Sequence, residues 1–181
     1  MGRVFFVRHG QSFWNVEEKV CGVTDVALTP LGHEQAVQTG KVIVESGIEF
    51  DEIISSPLVR ASETARHISE ITGRPVKLDE RLAEQNFGKY EGTDWNRTEY
   101  KLSKECFADS YEGGESLLRL AQRIYNFLDE IKADPDGKTY LLVAHNGVAR
   151  AVESYFHSLT NREYASFGVK NCSVVTYEWT D

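Results

Sequence analysis

Apolar runs alternate with polar punctuation along this chain, and their spacing predicts short strands separated by helices. Val4-Phe5-Phe6-Val7 is β-branched or aromatic throughout and reads as a buried strand. Leu31 to Glu45 carries apolar residues near helical spacing. It starts from Thr29-Pro30, a good N-cap and first-turn pair, and ends before Gly47. Glu52-Ile53-Ile54-Ser55 is a second strand, and Pro57 opens a helix to about Thr72, closed by Gly73. Pro75 to Leu78 reads as a third strand. Ser116 to Lys132 is an amphipathic helix whose apolar face is Leu117, Leu120, Ile124, Phe127, Leu128 and Ile131. Thr139 to Ala144 is a buried strand followed by a helix from about Gly147, and Ser173 to Trp179 is a final strand. This alternation predicts an α/β fold, a three-layer α/β/α sandwich with a mostly parallel central sheet, as a single domain over 1–181. The stretch from Gly88 to Gly114 has no clear period and is expected to be a lid or substrate loop.

Charge narrows the partners. A net charge of −8 argues against a general nucleic-acid or anionic-membrane surface and confines any anion site to a local cationic pocket. No apolar run approaches the ~20 residues of a membrane helix. The N-terminal residues lead straight into a strand rather than a signal peptide. Cys21, Cys106 and Cys172 are odd in number, widely separated and without metal-ligand spacing, so a reduced, cytoplasmic chain is expected.

Chemistry gathers where strands end. The first strand runs into Arg8-His9-Gly10-Gln11-Ser12, with Gly10 expected to bring the backbone close to a bound group. The second runs into Ser55-Ser56-Pro57-Leu58-Val59-Arg60, which puts Arg60 in the first turn of a helix. Tyr140 to Ala144 runs into His145-Asn146-Gly147. Two arginines and two histidines supply N–H donors and no carboxylate, which suits a phosphate dianion better than a metal ion. No GxxxxGK[ST] loop or Cys-x5-Arg signature offers another phosphoryl-transfer site. One imidazole would attack phosphorus as the neutral base while the other, as imidazolium, balances charge on the oxygens. The leaving oxygen needs a proton, and Glu84, in the loop after the third strand, is one acidic candidate among 28.

Five blocks, in this order, resemble the histidine phosphatase superfamily, the phosphoglycerate mutase-like fold. They are Arg8-His9-Gly10-Gln11-Ser12; Ser55 to Ala61; Leu82 to Gly92; Gly113-Gly114-Glu115-Ser116; and Val143-Ala144-His145-Asn146-Gly147. The resemblance implies that His9 becomes phosphohistidine and that Glu84 is general acid and then base. It implies that Arg8, Arg60 and His145 hold the phosphoryl oxygens, with Asn15 as a further donor. Gln11, Ser12, Cys21, Gly22 and Asn146 either line the pocket or serve in turns, packing and caps. Cys21 stands where relatives often carry Thr or Ser, and it is not read as a reactive thiol.

Within that superfamily the chain is similar to the small phosphatase branch. The segment 88–114 lacks the adjacent Arg-Arg pair of the cofactor-dependent mutases, and Phe87 stands where those tend to have Tyr. The resemblance therefore implies a metal-independent phosphomonoesterase without a cofactor, acting on a small phosphorylated metabolite. A cofactor-dependent phosphoglycerate mutase is the alternative, followed by a protein phosphohistidine phosphatase and a non-catalytic phospholigand sensor. Tyr90, Trp95, Tyr100, Phe107 and Tyr111 are expected either to meet the leaving group or to anchor their loop, and aromatic surfaces of this kind also suit a homodimer.

Overall fold

The computed structural model describes residues 2–179. The strands are β1 (Arg3–Arg8), β2 (Glu52–Ser55), β3 (Val76–Leu78), β4 (Tyr140–Ala144) and β5 (Val174–Glu178). They form one sheet in the order β3-β2-β4-β1-β5, parallel except for β5, which runs antiparallel to β1 along the edge. The principal helices are α2 (Pro30–Glu45), α3 (Val59–Thr72), α5 (Leu117–Lys132) and α6 (Asn146–Phe156). Shorter ones are α1 (Phe13–Val16), α4 (Thr98–Ser103) and α7 (Asn161–Ser166).

Both faces of the central strands are covered, which is why those strands read as unbroken apolar runs. Phe5, Val7, Leu141 and Val143 point to one face, where they pack with Ile43 of α2 and Ala61, Ala65 and Ile68 of α3. Val4, Phe6, Leu142 and Ala144 point to the other, against Leu120, Ile124, Phe127 and Leu128 of α5 and Val148 and Val152 of α6. Strand alternation thus assigns each residue to one of two cores. The apolar stripe expected along α5 is buried at every one of its six positions.

Local chemistry explains most element ends. The Thr29 hydroxyl caps α2, with Pro30 at the first helical position, and Gly73 ends α3 in the left-handed conformation at φ 69°. Pro57 does not open α3: the helix begins at Val59, and Leu58 at its N-cap offers no side-chain acceptor. Asp25 Oδ1 instead takes the Val59 N–H at 2.7 Å. The sequence pattern did not reveal α1 or α7, each held by a capping box within a stretch too short to show a period.

Gly10 is required by a contact that its position did not suggest. A Cβ there would run into the carbonyl oxygen of Gly32, and a Cβ on Gly32 would run into that of Gln11. The motif loop therefore lies directly on the first turn of α2, and the glycines serve that contact. Gly32→Ala is expected to destabilise the fold by about 1–3 kcal/mol, because backbone rather than a flexible side chain must move. Chemical denaturation should show a lower midpoint.

Candidate active site

Parallel pairing of β1 with β4 aligns Arg8 with Ala144, and the His9 N–H continues the ladder to the Ala144 carbonyl at 3.0 Å. His9 and His145, each next along its chain, consequently lie with ring centroids 5.1 Å apart. His9 is 4% exposed. Its Nδ1 is 2.6 Å from the Gly10 carbonyl, which can only accept, so Nδ1 carries the proton and Nε2 keeps a free lone pair. Two further contacts fix the loop: Gly10 N–H donates to Thr64 Oγ1 of α3 at 3.0 Å, and Asn171 Nδ2 donates to the His9 carbonyl at 2.7 Å.

A cavity of about 370 Å³ opens over His9. Arg8, Asn15, Cys21, Glu84 and Asn146 line it with His9. Arg8 Nη1 donates to the Val169 carbonyl at 2.9 Å, and its buried Nε has no partner among the described residues. Asn15 Oδ1 accepts the Ser12 N–H at 3.0 Å, which commits the oxygen and leaves the amide as the donor for the cavity. Arg60 and His145 are fully buried and lie off the cavity wall. Arg60 donates from Nη1 to the Thr24 carbonyl at 2.9 Å and from Nη2 to the Gly22 carbonyl at 2.6 Å, leaving Nε unpaired. His145 Nε2 meets the Ser56 hydroxyl at 2.7 Å, while its buried Nδ1 has no partner among the described residues. Buried N–H groups without partners at Arg8 and Arg60 are donors awaiting an acceptor.

Glu84 is 4% exposed and held by backbone alone, accepting from Gln85 N at 2.8 Å and from Gly147 N, in the first turn of α6, at 2.9 Å. A Cβ on Gly147 would overlap the Glu84 carboxylate, so only glycine admits the acid there. Behind it, Arg123 donates to the Arg81 and Glu84 carbonyls and pairs with Glu115 at 2.8 Å, which anchors the acid's loop to α5.

Glu91 is a clamp that sequence reasoning left unassigned. Its two oxygens accept from the backbone N–H groups of Gly22, Val23 and Phe87 and from the Thr24 hydroxyl. The carboxylate from one side and Arg60 from the other thus hold the loop that carries Cys21. Burial pushes the Cys21 thiol up to about 11, so it stays protonated near neutral pH. Gln11 and Ser12 prove structural: Gln11 receives the Thr29 hydroxyl and Ser12 caps α1.

The segment 88–114 is partly ordered as α4 and a 3-10 turn over Gly88–Tyr90. Phe87, Tyr100 and Tyr111 bury with Val20 in a cluster of their own, and Tyr90 and Trp95 pack against it. Trp95 and Tyr100 also reach the cavity, so these aromatics both anchor the segment and face the site. Lys19, Lys101, Lys104 and Arg150 complete a cationic lining whose acidic member is Glu84. Their positions depend on how segments distant in sequence meet, and nothing local in the sequence distinguishes them from surface cations.

Burial, then the Arg60 charge, keeps both His9 and His145 well below the usual histidine range. In the protein by itself neither imidazole is therefore protonated at neutral pH, which corrects the expectation that one stands ready as imidazolium. A bound dianion would supply the opposing charge that His145 needs to take up a proton. Among the described residues, one cluster has metal-ligand types, His33, Glu63 and His67. It lies between α2 and α3, outside the cavity lining.

The sequence profile described as histidine phosphatase superfamily (branch 1) matches residues 4–181. A protein named "Probable phosphoglycerate mutase GpmB" from Erwinia tasmaniensis is 32% identical, over 96% of this chain and 83% of its own. Among solved structures, the mycobacterial glucosyl-3-phosphoglycerate phosphatase in complex with VO3 superposes at a TM-score of 0.81 with 28% identity, covering 97% of this chain and 92% of that one. Phosphoserine phosphatase from Entamoeba histolytica, in complex with 3-phosphoglyceric acid, does so at 0.81 with 27% identity, over 97% and 90%.

The two histidines also predict acid sensitivity. Their folded pKa values lie below the unfolded value of about 6.5, so the unfolded chain binds more protons below that pH. Stability is complete above about pH 6.5 and falls as pH drops through the window beneath it. Denaturant midpoints from pH 7.5 to 5 should show that fall, and His9→Ala should make it shallower.

Proposed function

We propose that this chain, which belongs to the histidine phosphatase superfamily and is a phosphatase, hydrolyses phosphomonoesters without a metal ion through a phosphohistidine on His9. The observation that carries the mechanism is the state of His9: Nδ1 is tied to a carbonyl, and Nε2 is free beside a cationic cavity. In the first step His9 Nε2 attacks phosphorus, the ester P–O bond breaks, and Glu84 delivers its proton to the leaving oxygen. In the second, the Glu84 carboxylate takes a proton from water, the resulting hydroxide bonds to phosphorus, and the P–N bond breaks. Inorganic phosphate leaves and His9 returns to its neutral form.

Arg8 and Asn15 face the cavity and would hold phosphoryl oxygens directly. Arg60 and His145, buried against His9, would act after a small inward movement of the phosphoryl group or of their own side chains. His145 would take a proton when the dianion binds, supplying the imidazolium that the free site lacks. A phosphoryl group that spreads charge over its oxygens is stabilised most by such prearranged donors. The chain would act as one domain, with 88–114 as its substrate segment and a small phosphorylated metabolite as its partner. No helix among the described residues is long and apolar enough to cross a membrane. The free state of Cys21, Cys106 and Cys172 fits the reducing cytoplasm.

A mutase reading has support in the naming of the Erwinia relative. The two differ in what accepts the phosphoryl group, water or a second phosphoglycerate. With 3-phosphoglycerate and a catalytic trace of 2,3-bisphosphoglycerate, the phosphatase releases phosphate; isomerisation without release would establish the mutase instead.

Phosphate release in EDTA should persist in the wild-type chain and disappear in His9→Ala, while near-wild-type turnover of that variant would refute the nucleophile. Glu84→Gln should slow alkyl phosphates by about 10²–10⁴-fold, the usual contribution of a general acid. It should slow p-nitrophenyl phosphate far less, since that leaving group needs little protonation. Equal losses would remove Glu84 from the acid role.

A further inference from the structure

The phosphoryl machinery leaves part of the cavity's charge unused. Arg150 comes from α6, one turn beyond the Gly147 N–H that holds Glu84, and is 6% exposed. Its Nε donates to the Phe167 carbonyl at 3.0 Å, its terminal nitrogens have no acceptor among the described residues, and it lines the cavity. Lys104 arrives from the other side at the end of α4, half-buried, with Nζ 4.7 Å from the centre of the Tyr100 ring. Neither cation forms an ion pair among the described residues, although the chain as a whole carries an excess of acid. Burial, then Arg150 and Lys101, pull Lys104 down to about 8, with Glu84 opposing. Two cations from separate elements, held facing one cavity without a counter-ion, cost stability unless something anionic occupies the space between them.

Their place relative to Glu84 says which part of a substrate they would meet. In the proposed reaction Glu84 addresses the oxygen that joins phosphorus to the leaving group, and Arg150, one turn of α6 from the glycine that seats it, and Lys104, whose shift its charge opposes, share its cavity. We propose that Arg150 and Lys104 form a second anion subsite, which takes a carboxylate or other oxyanion carried by the leaving alcohol. This rests on the phosphatase reading of His9 and Glu84 and narrows its substrates to phosphomonoesters with a second negative group. The Arg150 guanidinium offers a planar fork of donors, and Lys104 adds a point charge from the lid side. A substrate that bridges both would also draw the 88–114 segment onto α6.

The test compares substrates that differ in that group alone. 3-Phosphoglycerate against glycerol 3-phosphate asks for a carboxylate, and propane-1,3-diol bisphosphate against propyl phosphate asks for a second phosphate. Binding is measured by calorimetry on the His9→Ala protein, so the comparison survives even if turnover, and with it the phosphatase reading, fails. The anionic member of at least one pair should bind about tenfold or more tightly, as expected of a charge-assisted contact. Lys104→Gln on the same background should remove most of that preference, and Lys104→Arg should restore it. The groups facing Lys104 are Arg150, Lys101, Tyr100 and Glu84. The preference should therefore fall as pH rises through about 8, and Lys104→Arg should abolish that fall. Equal affinity within both pairs, or a preference indifferent to Lys104→Gln, overturns the subsite.

Discussion

The register of β1 against β4 is the constraint on which this site depends. Arg8 pairs with Ala144, so the residues that follow, His9 and His145, leave adjacent parallel strands side by side. A slip by one residue would exchange the two cores, sending Phe5 and Val7 where Val4 and Phe6 belong. The burial of both faces thus enforces the pairing that the chemistry requires. The strand order strengthens the effect. β4 is inserted between β1 and β2, so the carboxyl ends of three parallel strands deliver His9, His145 and the Ser56–Arg60 turn to one place.

That place is electrostatically expensive, and much of the surrounding structure is explained by how it is held. Arg60 is fully buried and His9 nearly so, and burial of the ring, then the Arg60 charge, keeps the imidazole neutral. Backbone carbonyls, rather than carboxylates, take the hydrogen bonds of Arg8 and Arg60. This satisfies N–H groups without cancelling the charge that would attract a phosphate. Glu91, the nearby acid that might have neutralised Arg60, spends both oxygens on the backbone N–H groups and hydroxyl of the same loop. Positive potential is thereby preserved in a chain that is acidic overall.

The elements were legible in sequence wherever a period or a cap was long enough to show. The apolar stripe of α5, the Thr29-Pro30 start of α2 and the apolar run of β4 all emerge from local pattern. His9, Arg60 and His145 could be singled out because each stands at the end of such an element. Glu84 was legible only through its motif, since its place depends on the N–H of Gly147, far along the chain. The contact of Gly10 was hidden for the same reason: its neighbour is Gly32, and a glycine does not announce which contact excludes its side chain. Arg150, Lys104, Glu91, Asn171 and Arg123 have ordinary local surroundings. Their roles arise from contacts between segments that only the folded chain brings together.

The same distinction separates the reaction from its substrate. Groups at strand ends belong to the framework, because the register of the sheet fixes where they stand. Groups on 88–114 are attached to that framework through the small cluster of Val20, Phe87, Tyr100 and Tyr111, set apart from the two main cores, and through Phe107, which packs against the core under α5 and α6. Changes there can move Lys101, Lys104 or Trp95 without disturbing β1 or β4. The phosphoryl step would then be common property of the fold, whereas the choice of leaving group would sit in the segment least constrained by the sheet. Arg150 joins the two, because it stands on a framework helix three residues after the glycine that seats Glu84 and lines the same cavity as Lys101 and Lys104. A leaving group that engaged it would lie one turn of α6 from the glycine that seats Glu84.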